Sequence, residues 1–373
     1  MSNMIDRRHG WRVRSMAGLG AAALLASGSS LTLAQDDGPF VAEGQVEGEV
    51  VIATAGGTFQ EALGNSFYSQ FTEMTGINVT PVTINPAEQW AKVKADTEVG
   101  NVQWDMVNVG PDSLVLQQEF LADLGPNCEE IPNMAVNAAE GVCQQHGFLY
   151  ILGGYIGAAN TEAFPDGVPT DAAGFFDAET YPGGRCLSSS EPVYNMMLAL
   201  AADGVTQEEL WPLDIDRALA KLDTLKPHIA AWWETGDQSM QNWRNGECVL
   251  STFFAGRVKA LQREGEPAAQ IWQGFPRDIS GFGVLAEAPH PNAARAFANY
   301  FFSDDAAQGA ADFAETTNYD PANVKGQALM DPADDATRAT NPDNWNAMLA
   351  LDVQALQEQQ TEIVERWQEW ISQ

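Results

Sequence analysis

Lysine and histidine are scarce in this chain of 373 residues, whereas acidic residues are abundant. Six lysines and four histidines are present, and 19 basic residues stand against 51 acidic ones, which gives a formal net charge of −32 at pH 7. Such a surface repels nucleic acid and anionic lipid headgroups, so we expect no nucleic-acid partner. The acidity is typical of adaptation to high salt, which the shortage of lysine favours, or of a field that steers cationic ligands.

Catalytic and cofactor motifs are also missing. The sequence has no GxSxG, HExxH, P-loop or EF-hand pattern, and its histidines are isolated. Residues 281–286 (GFGVLA) fit the dinucleotide pattern GxGxxA, but they run into Glu287-Ala288-Pro289 and not into a helix, so a pyrophosphate would lack a helix N-terminus. We therefore expect no catalytic residues, no cofactor and no metal.

Cysteine is limited to four residues, Cys128, Cys143, Cys186 and Cys248, without any CxxC spacing. An even number of cysteines in an exported chain predicts two disulfides, for which three pairings are possible. We favour Cys128–Cys143, which closes a local loop, and Cys186–Cys248, which joins two strand-like segments.

A long apolar run occurs only near the N-terminus. A basic head between Arg7 and Arg14 precedes an uncharged stretch over residues 16–33, and Thr32-Leu33-Ala34 resembles a cleavage site. This pattern predicts a secretory signal peptide over residues 1–34. A transmembrane anchor is the alternative, although the run is marginal in length and rich in glycine and serine. Arg7-Arg8 hints at twin-arginine export, but the flanking residues match that signal poorly.

Strand and helix patterns alternate after residues 35–48, an acidic, glycine-rich stretch that we expect to be a disordered lead-in. Residues 49–54 predict a strand, and a helix follows from a capping box at Thr58 to about Thr75. Strands over residues 78–83 and 105–109, with a helix between them, complete a β-α-β-α-β order. This order predicts a parallel sheet with ligand-facing loops at the carboxyl ends of its strands.

Several residues at the predicted strand ends are candidates for ligand binding. Gly57, Thr58 and Phe59 open the first helix, whose N–H groups favour a carboxylate or polar ligand, unless this is an ordinary capped helix. Trp232 and Trp233 are neighbours on a strand and face opposite sides. One of them belongs in the core, and the other is placed to stack on an amine in a cleft; we select Trp233.

Each of the other aromatic and charged candidates also has a structural alternative. Arg257 is either an anchor for an anionic group or a surface or helix-cap cation. Tyr155 and Tyr319 are either hinge aromatics that meet the ligand or core residues. Asp112 is either a ligand carboxylate or a helix cap. Phe253 and Phe254 are neighbours on a strand, like the two tryptophans, so one of them belongs in the core and the other faces a cleft; we select Phe254.

Motifs spread over most of the chain resemble the spermidine/putrescine type of periplasmic solute-binding protein. They include ATAGGTFQEAL, WDMVNVG, WPLDIDRALAKLDTLKPHI, WWETGDQSMQNWRNGE and FFAGR. The resemblance implies an α/β type II periplasmic-binding-protein fold, in which two lobes joined by hinge crossings enclose a ligand cleft. It also implies a periplasmic protein, expected to be a monomer, that delivers a small solute to the permease subunits of an ABC importer.

The two lobes are predicted to be discontinuous in sequence. We place lobe 1 at residues 49–156 and 282–318, and lobe 2 at residues 157–281 and 319–373. The apolar, glycine-rich segments over residues 153–160 and 281–286 are expected to cross between them.

The ligand implied by the resemblance is a polyamine, held by carboxylates at its ammonium groups and by aromatic rings along its methylene chain. Glu191 falls near one expected carboxylate position, and Phe254 stands where the family commonly has tryptophan. Ser280–Phe282 lack the tryptophan and the acidic residue of polyamine binders, and Arg257 opposes a dication. We therefore predict a polyamine ligand first and an amino acid or other carboxylate-bearing solute as the alternative. A secreted enzyme and a surface protein are the competing classes.

Overall fold

The computed structural model describes residues 38–54, 56–84 and 86–373, without the side chains of Thr58, Pro86 and Ala87. The predicted signal peptide over residues 1–34 lies outside the described residues. No helix within the described part is long and apolar enough to cross a membrane.

Eleven strands of the described residues form one continuous sheet. They are β1 (Glu49–Thr54), β2 (Asn78–Thr83), β3 (Met106–Val109), β4 (Cys143–Gln144), β5 (Gly147–Asn160), β6 (Arg185–Ser188), β7 (Ile229–Trp233), β8 (Leu250–Phe254), β9 (Ala268–Ile271), β10 (Arg277–Val284) and β11 (Asp320–Pro321). The order across the sheet is β2-β1-β3-β10-β5-β8-β6-β7, and β4, β9 and β11 pair with β5.

The helices cover both parts of the sheet. They are α1 (Val41–Glu47), α2 (Gly57–Leu63), α3 (Ser69–Thr75), α4 (Pro86–Glu98), α5 (Pro111–Leu116), α6 (Pro132–Asn137), α7 (Ala172–Phe176), α8 (Pro192–Ala202), α9 (Ile215–Leu225), α10 (Gly236–Arg244), α11 (Ala255–Arg263), α12 (Pro291–Phe301), α13 (Ala307–Thr317), α14 (Val324–Gln327), α15 (Pro342–Ala347) and α16 (Val353–Ile371). A π-helical turn over Gly64–Tyr68 joins α2 to α3.

Two sets of parallel strands form the centres of two α/β lobes. In the first lobe β1 pairs in parallel with β2 and β3, and in the second β6 pairs in parallel with β7 and β8. Val50 and Ile52 of β1 and Leu187 of β6 are fully buried because helices cover the sheet. The predicted parallel arrangement is therefore confirmed.

The long strand β5 joins the two lobes. Its residues up to Gly154 pair antiparallel with β10, and from Tyr155 onward it pairs with β8 and β9. β10 in turn pairs antiparallel with β3 of the first lobe. The GFGVLA motif lies largely in β10, where a Cβ on Gly281 would overlap the carbonyl oxygen of Phe148. The first glycine of the motif therefore allows β10 and β5 to pack closely. The lobe boundaries given above stay predictions.

Each lobe has its own hydrophobic core. Phenylalanines dominate the first core, where Phe67 stacks on Phe301 with ring centroids 4.0 Å apart. The C-terminal helix α16 completes the second core, into which it inserts Ile363, Trp367 and Trp370. Burial of each such side chain contributes roughly 1.5–3 kcal/mol, so α16 is an integral part of its lobe.

Both favoured disulfides are present. Cys128–Cys143 and Cys186–Cys248 each have a Cα–Cα distance of 5.8 Å. The second closes a sequence separation of 62 residues and joins β6 to the segment before β8.

Two local predictions were wrong. Residues 41–47, expected within a disordered lead-in, form α1, because Val41 is buried and Gly44 packs closely against Ala293 of α12. Glu47 also accepts a hydrogen bond from the Ala293 backbone N–H at 2.8 Å. The first long helix begins at Gly57 after the N-cap Gly56, and not after a cap at Thr58.

Candidate functional site

The carboxyl ends of the parallel strands in both lobes face one open cleft of about 1300 Å³. Its lining residues follow β2, β6, β7 and β8 or lie on α16; they include Thr83, Ile84, Ser189, Ser190, Pro192, Glu234, Thr235, Phe254, Val364 and Trp367. Loops at the carboxyl ends of parallel strands are the usual ligand-binding positions of α/β sheets, which makes this cleft the candidate site.

Four aromatic rings form a cluster at the second-lobe side of the cleft. The ring centroid of Tyr155 lies 5.3 Å from that of Tyr194, 6.0 Å from that of Trp233 and 5.9 Å from that of Phe254. These distances are typical of stabilising aromatic pairs. Phe254 also lines the open cleft. We call Tyr155, Tyr194, Trp233 and Phe254 the aromatic cluster.

Tyr155 is held rigidly at the point where β5 changes its pairing partner. The residue is fully buried, and its hydroxyl group donates to Asn195 Oδ1 at 3.0 Å, lies 2.7 Å from Thr252 Oγ1 and accepts from the Ser188 backbone N–H at 3.3 Å. Because these protein partners use the hydroxyl group and the whole side chain is buried, Tyr155 is a packing residue in this structure. A direct contact between Tyr155 and a ligand stays a prediction.

The two adjacent tryptophans face opposite sides of β7. Trp233 is fully buried within the aromatic cluster, and its indole N–H has no hydrogen-bond acceptor in the described part of the chain. Trp232 packs edge-on against Trp367 at 5.9 Å and Trp370 at 6.1 Å in the second core. The two indoles therefore face opposite sides of β7, with Trp233 in the aromatic cluster and Trp232 against the second core. A contact between Trp233 and a ligand stays a prediction.

Two carboxylates, Glu191 and Asp278, lie beside the aromatic cluster and form what we call the carboxylate pair. Glu191 is the N-cap of α8, lies between cleft-lining Ser190 and Pro192, and is partly buried. Asp278 is partly buried on β10, where the Tyr194 hydroxyl group donates to its Oδ1 at 3.5 Å. Within the described residues, neither carboxylate has a cationic side chain within 4.0 Å.

The surroundings of the carboxylate pair favour its protonated form. Burial and the nearby charge of Asp278 raise the pKa of Glu191 to about 8. Burial raises the pKa of Asp278 to about 6, although its hydrogen bond from Tyr194 opposes the shift. A buried carboxylate without a partner needs either a proton or a cation, so this position is suited to a cationic group.

Sequence reasoning missed Asp278. It searched Ser280–Phe282 for an acidic residue, but β10 runs antiparallel to β3 and pairs Gly281 with Val109. The start of β10 consequently lies at the sheet edge where β3 ends, and this brings Asp278 to Tyr194 of the aromatic cluster. The predicted crossing began at Gly281, whereas the strand begins at Arg277 and includes Asp278. The available signal was an acidic residue shortly before the predicted crossing, and its use required the direction of the strand.

Asp112 lies on the first-lobe side of the same region. It occupies the first turn of α5, directly after β3, and its charge adds to those of Asp278 and Glu191 in raising the pKa of Tyr194 above its usual value, after burial as the main cause. Gly110 is the N-cap residue of α5, and the Oγ of Ser113 accepts from its backbone N–H at 2.9 Å. Asp112 is therefore not the helix cap.

Tyr319 packs against the first core, close to charges of both signs. Its ring packs on β5 at Gly153, where an added Cβ would approach the ring to 3.1 Å. Burial and Asp278 raise the pKa of its phenol, whereas Arg257 lowers it. Tyr319 is thus a neighbour of both Asp278 and Arg257.

Gly57, Thr58 and Phe59 belong to the first lobe. Gly57 is exposed at the start of α2, and Thr58 follows it in the first turn. Phe59 is partly buried in the aromatic core of the first lobe, with ring centroids 5.5 Å from Phe313 and 6.4 Å from Tyr319. Phe59 therefore packs in the first core, next to Tyr319, and its contact with a ligand stays a prediction.

Arg257 is partly exposed and already paired. It lies in the first turn of α11, its side chain is 40% exposed, and its Nη1 lies 3.0 Å from Oδ1 of Asp237, which is 81% exposed. An exposed pair of this kind contributes about 0–1 kcal/mol, so an incoming anion can replace Asp237 at small cost. Both earlier alternatives for Arg257, surface cation and anion anchor, are compatible with this position.

A family model described as bacterial extracellular solute-binding protein matches residues 66–341. The gamma-aminobutyric acid-binding protein of Pseudomonas aeruginosa is 28% identical over 344 residues, 89% of this chain and 93% of that protein. The structure of the Atu4243-GABA receptor is similar with a TM-score of 0.76 and 28% identity, covering 86% of this chain and 97% of that chain.

A further structural relative is an ABC transporter substrate-binding protein from Bradyrhizobium japonicum. It has a TM-score of 0.77 and 25% identity, and the match covers 86% of this chain and 99% of that chain. These relatives share the two-lobed periplasmic-binding-protein fold, so the predicted fold class is confirmed.

Proposed function

Because the chain belongs to the bacterial extracellular solute-binding proteins, we propose that it captures a zwitterionic amino acid whose ammonium and carboxylate groups are far apart, such as 4-aminobutyrate. Family membership makes it the substrate-binding component of an ABC transporter rather than an enzyme, and implies a place outside the cytoplasmic membrane. The finer steps of the proposal are export by the N-terminal segment, capture in the periplasm as a monomer and delivery to permease subunits.

The observation that carries this proposal is the carboxylate pair beside the aromatic cluster. Glu191 and Asp278 are partly buried without a cationic partner among the described residues, and Tyr194 touches Asp278. A ligand ammonium group supplies the missing charge, and Phe254, which packs on the buried Trp233, flanks the methylene chain that follows it.

Arg257 is the proposed partner of the ligand carboxylate. Its guanidinium group is close enough to Tyr319 to lower the pKa of that phenol. The carboxylate of Asp278 is also close to Tyr319 and raises the same pKa. A positive and a negative group near one ring suit a ligand with opposite charges at its two ends. Two relatives are named for γ-aminobutyric acid, a molecule of this kind, which supports the same ligand class.

A polyamine is the second candidate ligand. Asp278 supplies an acidic residue close to Ser280–Phe282, the segment that lacks the acidic residue of polyamine binders. Asp112 adds a third carboxylate near Tyr194. Against this ligand, Arg257 places a positive charge where a second ammonium group would lie.

The test is a calorimetric titration of the purified protein with 4-aminobutyrate, putrescine, butyrate and butylamine. We expect 4-aminobutyrate to bind at least tenfold more tightly than butyrate or butylamine, because each of these lacks one charged end; tenfold corresponds to about 1.4 kcal/mol. Preference for putrescine over 4-aminobutyrate would select the polyamine candidate, and equal binding of butyrate and 4-aminobutyrate would reject an ammonium site.

A further inference from the structure

The two members of the carboxylate pair come from different elements and both lie near the start of α8. Glu191 is the N-cap residue of α8, and Tyr194 in the first turn of that helix donates to Oδ1 of Asp278 at 3.5 Å. Asp278 lies on β10, the strand that pairs with β3 of the first lobe. The charge of each contributes to the pKa of Tyr194, and the charge of Asp278 also raises that of Glu191. The two carboxylates are therefore close enough to repel each other when both are ionised.

Among the described residues, no cationic side chain within 4.0 Å neutralises this repulsion. The charged and titratable side chains that the neighbouring elements bring to this region are Asp112 on α5, Tyr155 on β5, Tyr194 on α8, Tyr319 after α13 and Arg257 on α11. Asp112 adds negative charge, and the tyrosines are neutral at physiological pH. Arg257, the single cation among them, is bound to Asp237 and lies beyond 4.0 Å of both carboxylates.

We propose that Glu191 and Asp278 hold one proton between them while the cleft is empty, and that the ammonium group of the ligand takes the place of this proton, so that ligand capture releases a proton to solvent. This inference rests on the proposed amine-bearing ligand. Two like charges in a poorly hydrated site titrate as a coupled pair, and the first proton stays bound well above the usual carboxyl range. An entering cation removes that cost, which favours ionisation of both groups.

The raised pKa values of the two carboxyl groups agree with this geometry. Burial and the neighbouring charge raise the pKa of Glu191 to about 8, and burial raises that of Asp278 to about 6. Near pH 7 the empty pair accordingly carries about one proton. An alkyl ammonium group stays charged over this range, because its pKa is near 10. Ligand affinity should therefore rise with pH between about 6 and 8, with a limit of roughly tenfold per pH unit for one released proton.

The first test measures protons directly. Calorimetric titration with 4-aminobutyrate at pH 7, in buffers of different ionisation enthalpy, gives the number of protons released as the slope of enthalpy against ionisation enthalpy. We expect a release of roughly half to one proton, and no release with butyrate, which has no ammonium group. Tight binding of 4-aminobutyrate without proton release, and with an affinity independent of pH, overturns the inference but leaves the proposed function intact.

A second test needs no ligand. In protein labelled with ¹³C at the glutamate side-chain carboxyl carbons, the Glu191 signal is identified by its loss in Glu191→Gln and should titrate near neutral to alkaline pH. Asp278→Asn should move this midpoint toward acid, because it removes the neighbouring negative charge. Titration of Glu191 near its ordinary value overturns the inference whether or not 4-aminobutyrate binds. Failure of 4-aminobutyrate to bind, with Glu191 titrating near neutral pH, rejects the proposed ligand alone.

Discussion

The two ends of the proposed site differ in how much water reaches their charges. At the negative end Glu191 and Asp278 are partly buried, without a cation within 4.0 Å in the described residues. At the positive end the Arg257 side chain is 40% exposed and already paired with Asp237. A ligand that supplies the partner of a desolvated, unpaired charge gains far more free energy than one that replaces an exposed ion-pair partner. The negative end should therefore determine affinity, and the positive end should adjust selectivity among amines.

The difference follows from where the residues sit in the fold. Asp278 lies on β10 in the middle of the sheet, next to β5, which runs through both lobes. Arg257 lies in the first turn of α11 beside Gly236, where an added Cβ would come within 2.8 Å of its Nε. Central strands exclude water from the first end, whereas a helix start at the surface leaves the second end hydrated.

The largest expected effect is the loss of either carboxylate. Glu191→Gln and Asp278→Asn should each weaken binding of 4-aminobutyrate about 100-fold at pH 8, roughly 3 kcal/mol, because each leaves the ammonium group with an incomplete partner set. Calorimetric titration measures the dissociation constants. Glu179→Gln, at an exposed glutamate of the second lobe, is the matched control and should bind as the unmodified protein does. Losses below threefold in both cleft variants would mean that the negative end does not bind the amine.

Substitutions in the aromatic cluster should weaken binding less than the loss of a carboxylate. Phe254→Ala should reduce affinity about tenfold, because truncation removes one face that the methylene chain and the ammonium group contact. Phe254→Trp should retain binding, since it keeps an aromatic face at the cleft. Trp232→Phe is the control, since Trp232 packs on Trp367 and Trp370 and should affect stability but not affinity. An unchanged affinity of Phe254→Ala would move the ligand away from the aromatic cluster.

The negative end should also be visible in the stability of the unliganded protein. The pKa of Glu191 is raised to about 8 in the folded state, so the fold favours its protonated form. This contribution to stability is complete below the ordinary glutamate pKa of 4.5 and is lost as the pH rises through about 8. Because the carboxyl group is partly exposed, we expect a loss of about 1–2 kcal/mol and not the full linkage value.

Chemical denaturation at pH 5, 7 and 8.5 measures this loss. Glu191→Gln keeps the side chain neutral, so its free energy of unfolding should match that of the unmodified protein at pH 5 and exceed it at pH 8.5. A difference that does not change with pH would contradict the assigned environment of Glu191.

The positive end should give the smallest change. Arg257→Gln should weaken 4-aminobutyrate about fivefold, roughly 1 kcal/mol, and leave butylamine unaffected, because only the former has a carboxylate. Asp237→Asn should strengthen 4-aminobutyrate about twofold, since it frees Arg257 from its exposed partner. Titrations of both ligands at two salt concentrations test this, because an exposed ionic contact weakens with added salt. An equal loss for butylamine in Arg257→Gln would show that Arg257 acts on structure and not on the carboxylate.

Local sequence patterns predicted much of the secondary structure. β-branched runs and helix-stop glycines placed β1 and the end of α3 correctly, since these signals depend on neighbours a few residues away. The disulfide pairings were also correct. The helix α1 was missed because it is short, carries few apolar residues and depends on packing against α12. Three of the four rings of the aromatic cluster were named from the sequence, and Tyr194 was not.

The sequence by itself determined the family, the alternation of strands and helices, and the kinds of side chain that reach the strand ends, because these are encoded in local periodicity and contiguous motifs. Only the tertiary structure decided that Trp233 faces the aromatic cluster, that Asp278 joins Glu191 and that Asp237 pairs with Arg257. The direction and register of β10 against β3 and β5 result from pairing between distant parts of the chain. Whether a charge is hydrated or deprived of water depends on that pairing and not on neighbours in the sequence.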